Sequence, residues 1–310
     1  MILLTGASGF VGRAVASLVP HAELKLLVRR PSEIECASEV ICDLVALPDL
    51  SDSLSDVNCV IHCAARAHVM NEVPDAIDKY REVNVTGTLH LARAAAEAGV
   101  RRFVYLSSVK VHGESTTNRK PFSSASEYAP VDPYGVSKVE AEQALRELCN
   151  DYPMELVIIR PPLVYGPGVK ANFRSLMNLA AKNLPLPLGS AKGLRSLVYI
   201  ENLVDVILVC SRHPAAAGQS FLVSDGQEVT TAELLRQMTG ALGKRPRLFK
   251  FPPALLRFAC KIIGREGIYD RLFGSLQIDI QHTSDKLGWQ PPVPFEVAIT
   301  KTMASLNKSG

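Results

Sequence analysis

The chain has 310 residues and sets 34 Lys and Arg against 31 Asp and Glu, a net charge of +3. So small an excess, with no basic block, argues against a nucleic-acid surface, and a 47% apolar, 21% charged composition is that of an ordinary globular protein with a sizeable core. Seven scattered cysteines without a CxxC pair exclude a disulfide framework and give no metal site, and point to buried thiols in a reducing, cytoplasmic setting.

The first predicted element is a strand over residues 2–4. It runs into Gly6, Gly9 and Gly12 and then into a helical pattern that holds Phe10 and Val11. Strand, glycine turn and helix form the phosphate-binding start of a dinucleotide fold. Glycine permits the tight turn and the close approach of backbone to pyrophosphate, and the helix start presents unpaired N–H groups to the anion. The spacing is Gly-x-x-Gly-x-x-Gly, so glycines that only tighten a strand–helix corner are the alternative. The opening stretch has no basic flank, so no leader is expected.

A strand over 24–28 follows and ends at Arg29 and Arg30. An acidic residue at this place accepts hydrogen bonds from the ribose of NAD, whereas guanidinium groups suit a 2′-phosphate. NADP(H) is therefore expected as the preferred cofactor, with NAD(H) as the alternative. Strands over 40–42 and 59–64 come next, the first followed by Asp43 and Leu44, the second ending in Ala64 and Ala65. Arg66 and His68 stand just beyond, either shaping a pocket or serving as ordinary loop residues. A long helix over 75–99 carries Leu89, Ala92, Ala95 and Ala96 on one stripe and stops at Gly99. A strand over 103–107 leads to Ser107 and Ser108, a helix over 134–149 opens behind Pro133, and a strand over 156–160 ends at Arg160 and Pro161.

Beyond Pro161 the texture changes to loops over 161–172 and 185–193, returning strands near 197–199 and 221–223, and helices over 231–242 and 253–263. No run is long enough to span a membrane. The segment 252–264 is apolar but holds Arg257 and Lys261, and reads as an amphipathic helix for which membrane contact is a second use. The alternation predicts an α/β fold: a Rossmann-like, doubly wound parallel sheet over 1–165, with returning segments near 196–224, and a smaller mixed C-terminal substrate lobe over 166–310.

Tyr134 and Lys138 lie one helical turn apart and share a face. A phenol that works near neutral pH needs its pKa lowered from about 10, and a neighbouring ammonium or an oxidised nicotinamide ring would do so. Ser108 would hydrogen-bond the carbonyl or hydroxyl that Tyr134 protonates or deprotonates, which is acid–base chemistry for hydride transfer at an alcohol or ketone carbon.

The segments TGASGFVG, Asp43-Leu44, HCAA, NVTGT, YLSSVKVHG, PYGVSK and RPPLVYGPG come in the order found in extended short-chain dehydrogenases/reductases. Over nearly its whole length the chain resembles the nucleotide-sugar epimerase/dehydratase/reductase group of that superfamily. The resemblance implies Ser108, Tyr134 and Lys138 as the catalytic set. It implies Gly6, Gly9 and Gly12 on the pyrophosphate beside Phe10 and Val11, Asp43 and Leu44 at the adenine, and Ala64, Ala65, Asn84 and Pro161 around the cofactor. Asn172 and Arg195 match residues that hold the diphosphate of a UDP-sugar, and Arg271 is a looser match to a second such arginine. Dehydratase relatives carry an Asp-Glu pair where this chain has Val109 and Lys110, which sets dehydration aside; Leu163 replaces an asparagine common in epimerases. The resemblance extends to bacterial 4-ketoreductases that complete UDP-N-acetyl-6-deoxyhexosamines for surface polysaccharides, and a reductase suits an exchangeable NADP(H). A UDP-N-acetylglucosamine or UDP-glucose 4-epimerase with tightly bound NAD is the alternative, and a non-catalytic NADP(H)-binding regulator the third. Relatives pair through the two long helices, so a homodimer is expected.

Overall fold

The computed structural model describes residues 1–66, 76–264 and 266–308. The first half runs β1 (Ile2–Thr5), α1 (Phe10–Ala16), β2 (Leu24–Val28), β3 (Ser38–Ile41), α2 (Ser51–Leu54), β4 (Cys59–His62), α3 (Ala76–Arg81), α4 (Gly87–Glu97), β5 (Arg102–Leu106), α5 (Pro133–Asp151) and β6 (Glu155–Arg160). The second half runs β7 (Leu163–Tyr165), α6 (Ala171–Lys182), β8 (Leu194–Tyr199), α7 (Ile200–Arg212), β9 (Ser220–Leu222), β10 (Glu228–Thr230), α8 (Thr231–Ala241), α9 (Pro253–Ile262), α10 (Glu266–Phe273), α11 (Gln281–Leu287) and α12 (Phe295–Ala304).

Seven strands pair in parallel in the order β3-β2-β1-β4-β5-β6-β9. This is the doubly wound sheet expected, and its strands are apolar on both faces because helices cover both. Leu3, Leu27, Val60, Phe103 and Ile158 face α4 and α5, where Leu91, Ala95, Ala141 and Leu145 meet them. The alternate residues Leu4, Leu26, Ile61, Val104 and Val157 face α1 and α7, where Val15, Leu203 and Ile207 complete the layer. Full burial of such a side chain contributes about 1.5–3 kcal/mol. The strand order reverses between β1 and β4, and the crevice outside the carboxyl ends of those strands is where ligands bind in open α/β sheets.

A smaller mixed sheet has the order β10-β8-β7. Of the two expected returning strands, β9 pairs with β6 in the large sheet, whereas β8 pairs with β7 and β10 in the small one. The expected single helix over 75–99 is divided: residue 75 lies outside the described residues, and Glu82–Thr86 forms one wide π turn between α3 and α4. Among the described residues no helix is long and apolar enough to cross a membrane.

Candidate active site

The glycine turn sits at the reversal point. Gly6 has φ of 74°, and a Cβ there would lie 2.6 Å from the Ala64 nitrogen just beyond β4. A Cβ on Gly12 would lie 2.2 Å from the Gly6 oxygen, so the helix can close on the turn only without side chains. Gly9, as N-cap of α1, brings no side-chain acceptor to the first-turn N–H groups of Phe10, Val11 and Gly12. A turn emptied of side chains, with uncapped donors at its end, fits a dinucleotide pyrophosphate.

Thr5 ties that turn to the next strand. Its Oγ1 accepts from the Ala64 N–H at 3.1 Å and bonds His62 Nδ1 at 2.8 Å, while His62 Nε2 bonds Thr88 Oγ1 at 2.9 Å. Burial, then the charge of Lys138, pushes the His62 pKa down to about 3, so this imidazole is a neutral strut. Asn84, fully buried in the π turn, links three segments. Its Oδ1 accepts from the Arg66 N–H at 2.7 Å, and its Nδ2 donates to the Arg66 carbonyl at 3.1 Å and to Ser137 Oγ at 2.9 Å. Ser137 in turn donates to the Tyr134 carbonyl at 2.8 Å. The Ala64–Ala65 segment is thereby pinned to the first turn of α5, and π turns concentrate at such functional positions.

Asp132 caps α5 by accepting from the Gly135 N–H at 2.7 Å, with Pro133 at the first helical position. The same carboxylate takes Lys110 Nζ at 2.5 Å, two residues past Ser108, so one ion pair clamps the Ser108 turn to the Tyr134 end of the helix. Ser108 Oγ accepts from the Lys110 N–H at 3.2 Å, and the Val109 N–H donates to the Pro161 carbonyl at 2.9 Å, which sets Pro161 beside the serine turn. Lys138 Nζ donates to the Leu106 carbonyl at 2.8 Å and to the Tyr105 hydroxyl at 3.1 Å. It lies 5.9 Å from the Tyr134 ring centre.

The structure corrects one expectation here. The Tyr134 pKa is not lowered by Lys138: burial, then Asp132 and Tyr80, hold it above the ordinary phenol value. Lys138 is instead pushed down to about 8 by burial, against the opposing pull of Glu142. The ammonium spends two of its three N–H groups on Tyr105 and Leu106.

Several residues escaped the sequence reading, Tyr80 and Glu142 among them. Tyr80 meets Tyr134 edge-on at 6.2 Å, and the guanidinium of Arg66, a pocket candidate in the sequence, lies 5.6 Å from the Tyr80 ring centre with a buried Nε that has no hydrogen-bond partner among the described residues. Behind the site, Glu142 accepts from Ser107 Oγ at 2.5 Å, from the Tyr128 hydroxyl at 2.7 Å and from Arg160 at 2.5 and 3.0 Å. Although burial opposes it, Arg160 holds the Glu142 pKa below the usual range. His112 Nδ1 donates to the Glu127 carbonyl at 2.9 Å, which leaves Nε2 to accept from Arg160 at 3.0 Å. Glu142 continues the stripe of Tyr134 and Lys138 at four-residue spacing, a signal that could have found it. His68 lies outside the described residues.

Other expected positions are more peripheral. Arg29 and Arg30 are exposed at the carboxyl end of β2, and Asp43, also exposed, caps the turn Leu44–Ala46 by accepting from the Val45 N–H at 3.1 Å. Arg195 on β8 and Arg271 on α10 come together. Burial, then the like charge of Arg271, lowers the Arg195 pKa; its Nε is buried without a partner among the described residues, and one Nη donates to the Asp270 carbonyl at 3.2 Å. Two cations held against their mutual repulsion fit a diphosphate. A cavity of about 430 Å³ opens beside them, lined by Ser190, Lys192, Gly193, Pro253, Tyr269 and Phe273. Asn172 is exposed in the first turn of α6 and has no hydrogen bond to either arginine.

The chain is 46% identical over 307 residues to a UDP-glucose 4-epimerase of Vibrio cholerae, covering 97% of this chain and 94% of that protein. It is 30% identical over 250 residues to N-acetyl-alpha-D-glucosaminyl-diphospho-ditrans,octacis-undecaprenol 4-epimerase of Escherichia coli O157:H7, covering 79% and 73%. The fold matches that of UDP-glucuronic acid 4-epimerase from Bacillus cereus in complex with NAD, with a TM-score of 0.79 over 99% of this chain and 98% of that one at 18% identity. Residues 2–224 match the family described as Epimerase, and the chain belongs to this NAD dependent epimerase/dehydratase family.

Proposed function

We propose that the protein is an NAD-dependent 4-epimerase of a UDP-sugar. The observation that carries this reading is the 46% identity, along nearly the full length, to a UDP-glucose 4-epimerase. The second relative, also a 4-epimerase, acts by its name on a diphospho-linked sugar. These findings support the 4-epimerase alternative better than the ketoreductase expected first. The Arg195–Arg271 pair suits the shared diphosphate, and the glycine turn suits NAD, which the Bacillus structure carries.

NAD, when bound, would supply an acceptor for hydride from the sugar C4 and a donor that returns it. Tyr134 would take the C4 hydroxyl proton and later give it back to the same oxygen. Ser108 would hold the C4 oxygen through a hydrogen bond. Lys138, with one N–H left after Tyr105 and Leu106, would hold the cofactor ribose. Arg195 and Arg271 would hold the diphosphate.

The test is incubation of the purified protein with UDP-glucose or UDP-N-acetylglucosamine and no added cofactor. Conversion to the C4 epimer, followed by NMR, is the expected result. Exposed Arg29 and Arg30 favour a second reading, a ketoreductase using NADP(H). No epimerisation, together with NADPH-dependent reduction of a UDP-4-keto-sugar and a lower KM for NADPH than for NADH, would put that reading in its place. The homodimer belongs to the same proposal: light scattering at micromolar concentration is expected to give twice the chain mass.

A further inference from the structure

We propose that the protein docks on an anionic lipid bilayer through the exposed apolar face of α9. A surface helix normally turns its apolar stripe to the core. In α9 the stripe Leu255, Phe258 and Ile262, at i, i+3 and i+7, faces solvent, and no residue of the helix is buried. Phe258 is 63% exposed and Ile262 69%, and Ile263 at 66% extends the apolar residues at the end of the helix. Isolated exposed apolar residues need no explanation, but a contiguous patch on one helix marks a contact surface.

The charges choose the partner. Between Lys244 and Gly264 the chain carries Lys244, Arg245, Arg247, Lys250, Arg257 and Lys261 and no Asp or Glu. All six are exposed, and none forms an ion pair among the described residues. Arg257 and Lys261 lie on the flank of the apolar stripe, the pattern of a helix that lies in the plane of a bilayer surface with its apolar side in the acyl boundary and its cations at the headgroups. A second copy of the chain meeting this face symmetrically would bring the same uncompensated cations together. An anionic bilayer brings the opposite charge and an apolar interior at once. Pro253, which opens α9, also lines the cavity beside Arg195 and Arg271, so docking would turn the mouth of that cavity toward the membrane. The inference goes beyond the sugar chemistry and does not depend on it.

Co-sedimentation of the full chain with phosphatidylcholine vesicles, with and without roughly one-third phosphatidylglycerol, tests the proposal. Partition onto the anionic vesicles is expected to exceed that onto neutral ones by about tenfold at ~50 mM salt and to fall steeply at ~500 mM. The double variant Phe258→Glu/Ile262→Glu should lose about tenfold in partition while keeping its melting temperature, because both side chains are exposed. Phe258→Trp supplies a second readout, a blue shift in emission on anionic vesicles. Wild-type protein that ignores anionic vesicles, or a double variant that binds them equally well, overturns the proposal. So does a lipid-free dimer that the double variant converts to monomer, since that outcome assigns the face to a second copy.

Discussion

Tyr134 is a neutral phenol in the protein by itself, because burial and the nearby Asp132 both oppose its ionisation. In the proposed epimerase, a bound oxidised nicotinamide would supply positive charge that favours release of its proton. Tyr134→Phe is expected to lower kcat by about 10²–10⁴-fold and to leave the NAD dissociation constant within about twofold. Stopped turnover with unchanged binding, measured by fluorescence titration, is the signature. Lys138, held near 8, keeps its ammonium below that pH and loses it above. Cofactor KM should therefore rise as pH climbs through about 8, and Lys138→Arg should move that limb upward, because a guanidinium does not titrate there. His62 works in the opposite range. Its folded pKa of about 3 lies below the ordinary value of 6.5, so in between the unfolded chain binds a proton that the folded chain does not. Stability then falls as pH drops from 6.5 toward 3, by about 1.4 kcal/mol per pH unit from this group. Urea unfolding of His62→Gln across that range should show a slope shallower by that amount.

At the scale of elements, the π turn Glu82–Thr86 decides how two parts of the site meet. The extra residue per turn brings Asn84 to face both Arg66 and Ser137, so the end of β4 and the start of α5 share one amide. Asn84→Ala leaves buried partners unsatisfied and should cost about 1–3 kcal/mol by urea unfolding. It should also raise the KM for NAD more than it changes kcat, since the Ala64–Ala65 segment loses its tether. The family resemblance put Asn84 beside the cofactor, but the π turn that aims its amide was not legible in the sequence, where 75–99 reads as one continuous amphipathic helix. What the sequence does show well is local: β2 lies over 24–28 as expected, and α5 runs only a residue or two beyond 134–149 at either end, because apolar period, Pro133 and the Asp132 cap all agree there. α7 was missed although Ile200, Leu203, Val204, Ile207 and Cys210 recur at helical spacing, a signal that could have found it. α6 was missed because it opens at Ala171 in a left-handed conformation, φ 52°, amid loop-forming residues. The Glu142–Arg160–His112 cluster pairs residues from separate elements, and the four-residue stripe from Tyr134 points to Glu142 without naming its partner.

Across the whole molecule, the Ser108 turn and the arginine pair are joined by one strip of backbone. The Thr116 N–H donates to the Ser275 carbonyl at 2.8 Å, and the Phe122 N–H to the Gln277 carbonyl at 2.9 Å, so the chain beyond Ser108 is stitched to residues 275–277. Leu276 exchanges hydrogen bonds with Leu194 and Ser196 on either side of Arg195. The pair itself is held at a cost: Arg195 sits desolvated beside a like charge, and Arg271, by contrast, is exposed and spends its Nε on the Gly267 carbonyl at 2.9 Å. Arg271→Gln removes the repulsion and leaves Arg195 its own contacts, so thermal stability should stay level or rise. If the pair holds the diphosphate as proposed, the same change would remove a charge-assisted contact and should raise the KM for the UDP-sugar by about 10–100-fold with a smaller change in kcat. A variant that is no less stable yet binds its nucleotide sugar far more weakly would show that the two guanidinium groups are kept together for an anion, as sites that trade stability for binding are. If both the melting temperature and the KM were unmoved, the pair would have no part in holding substrate, and the diphosphate would have to be sought elsewhere in the lobe.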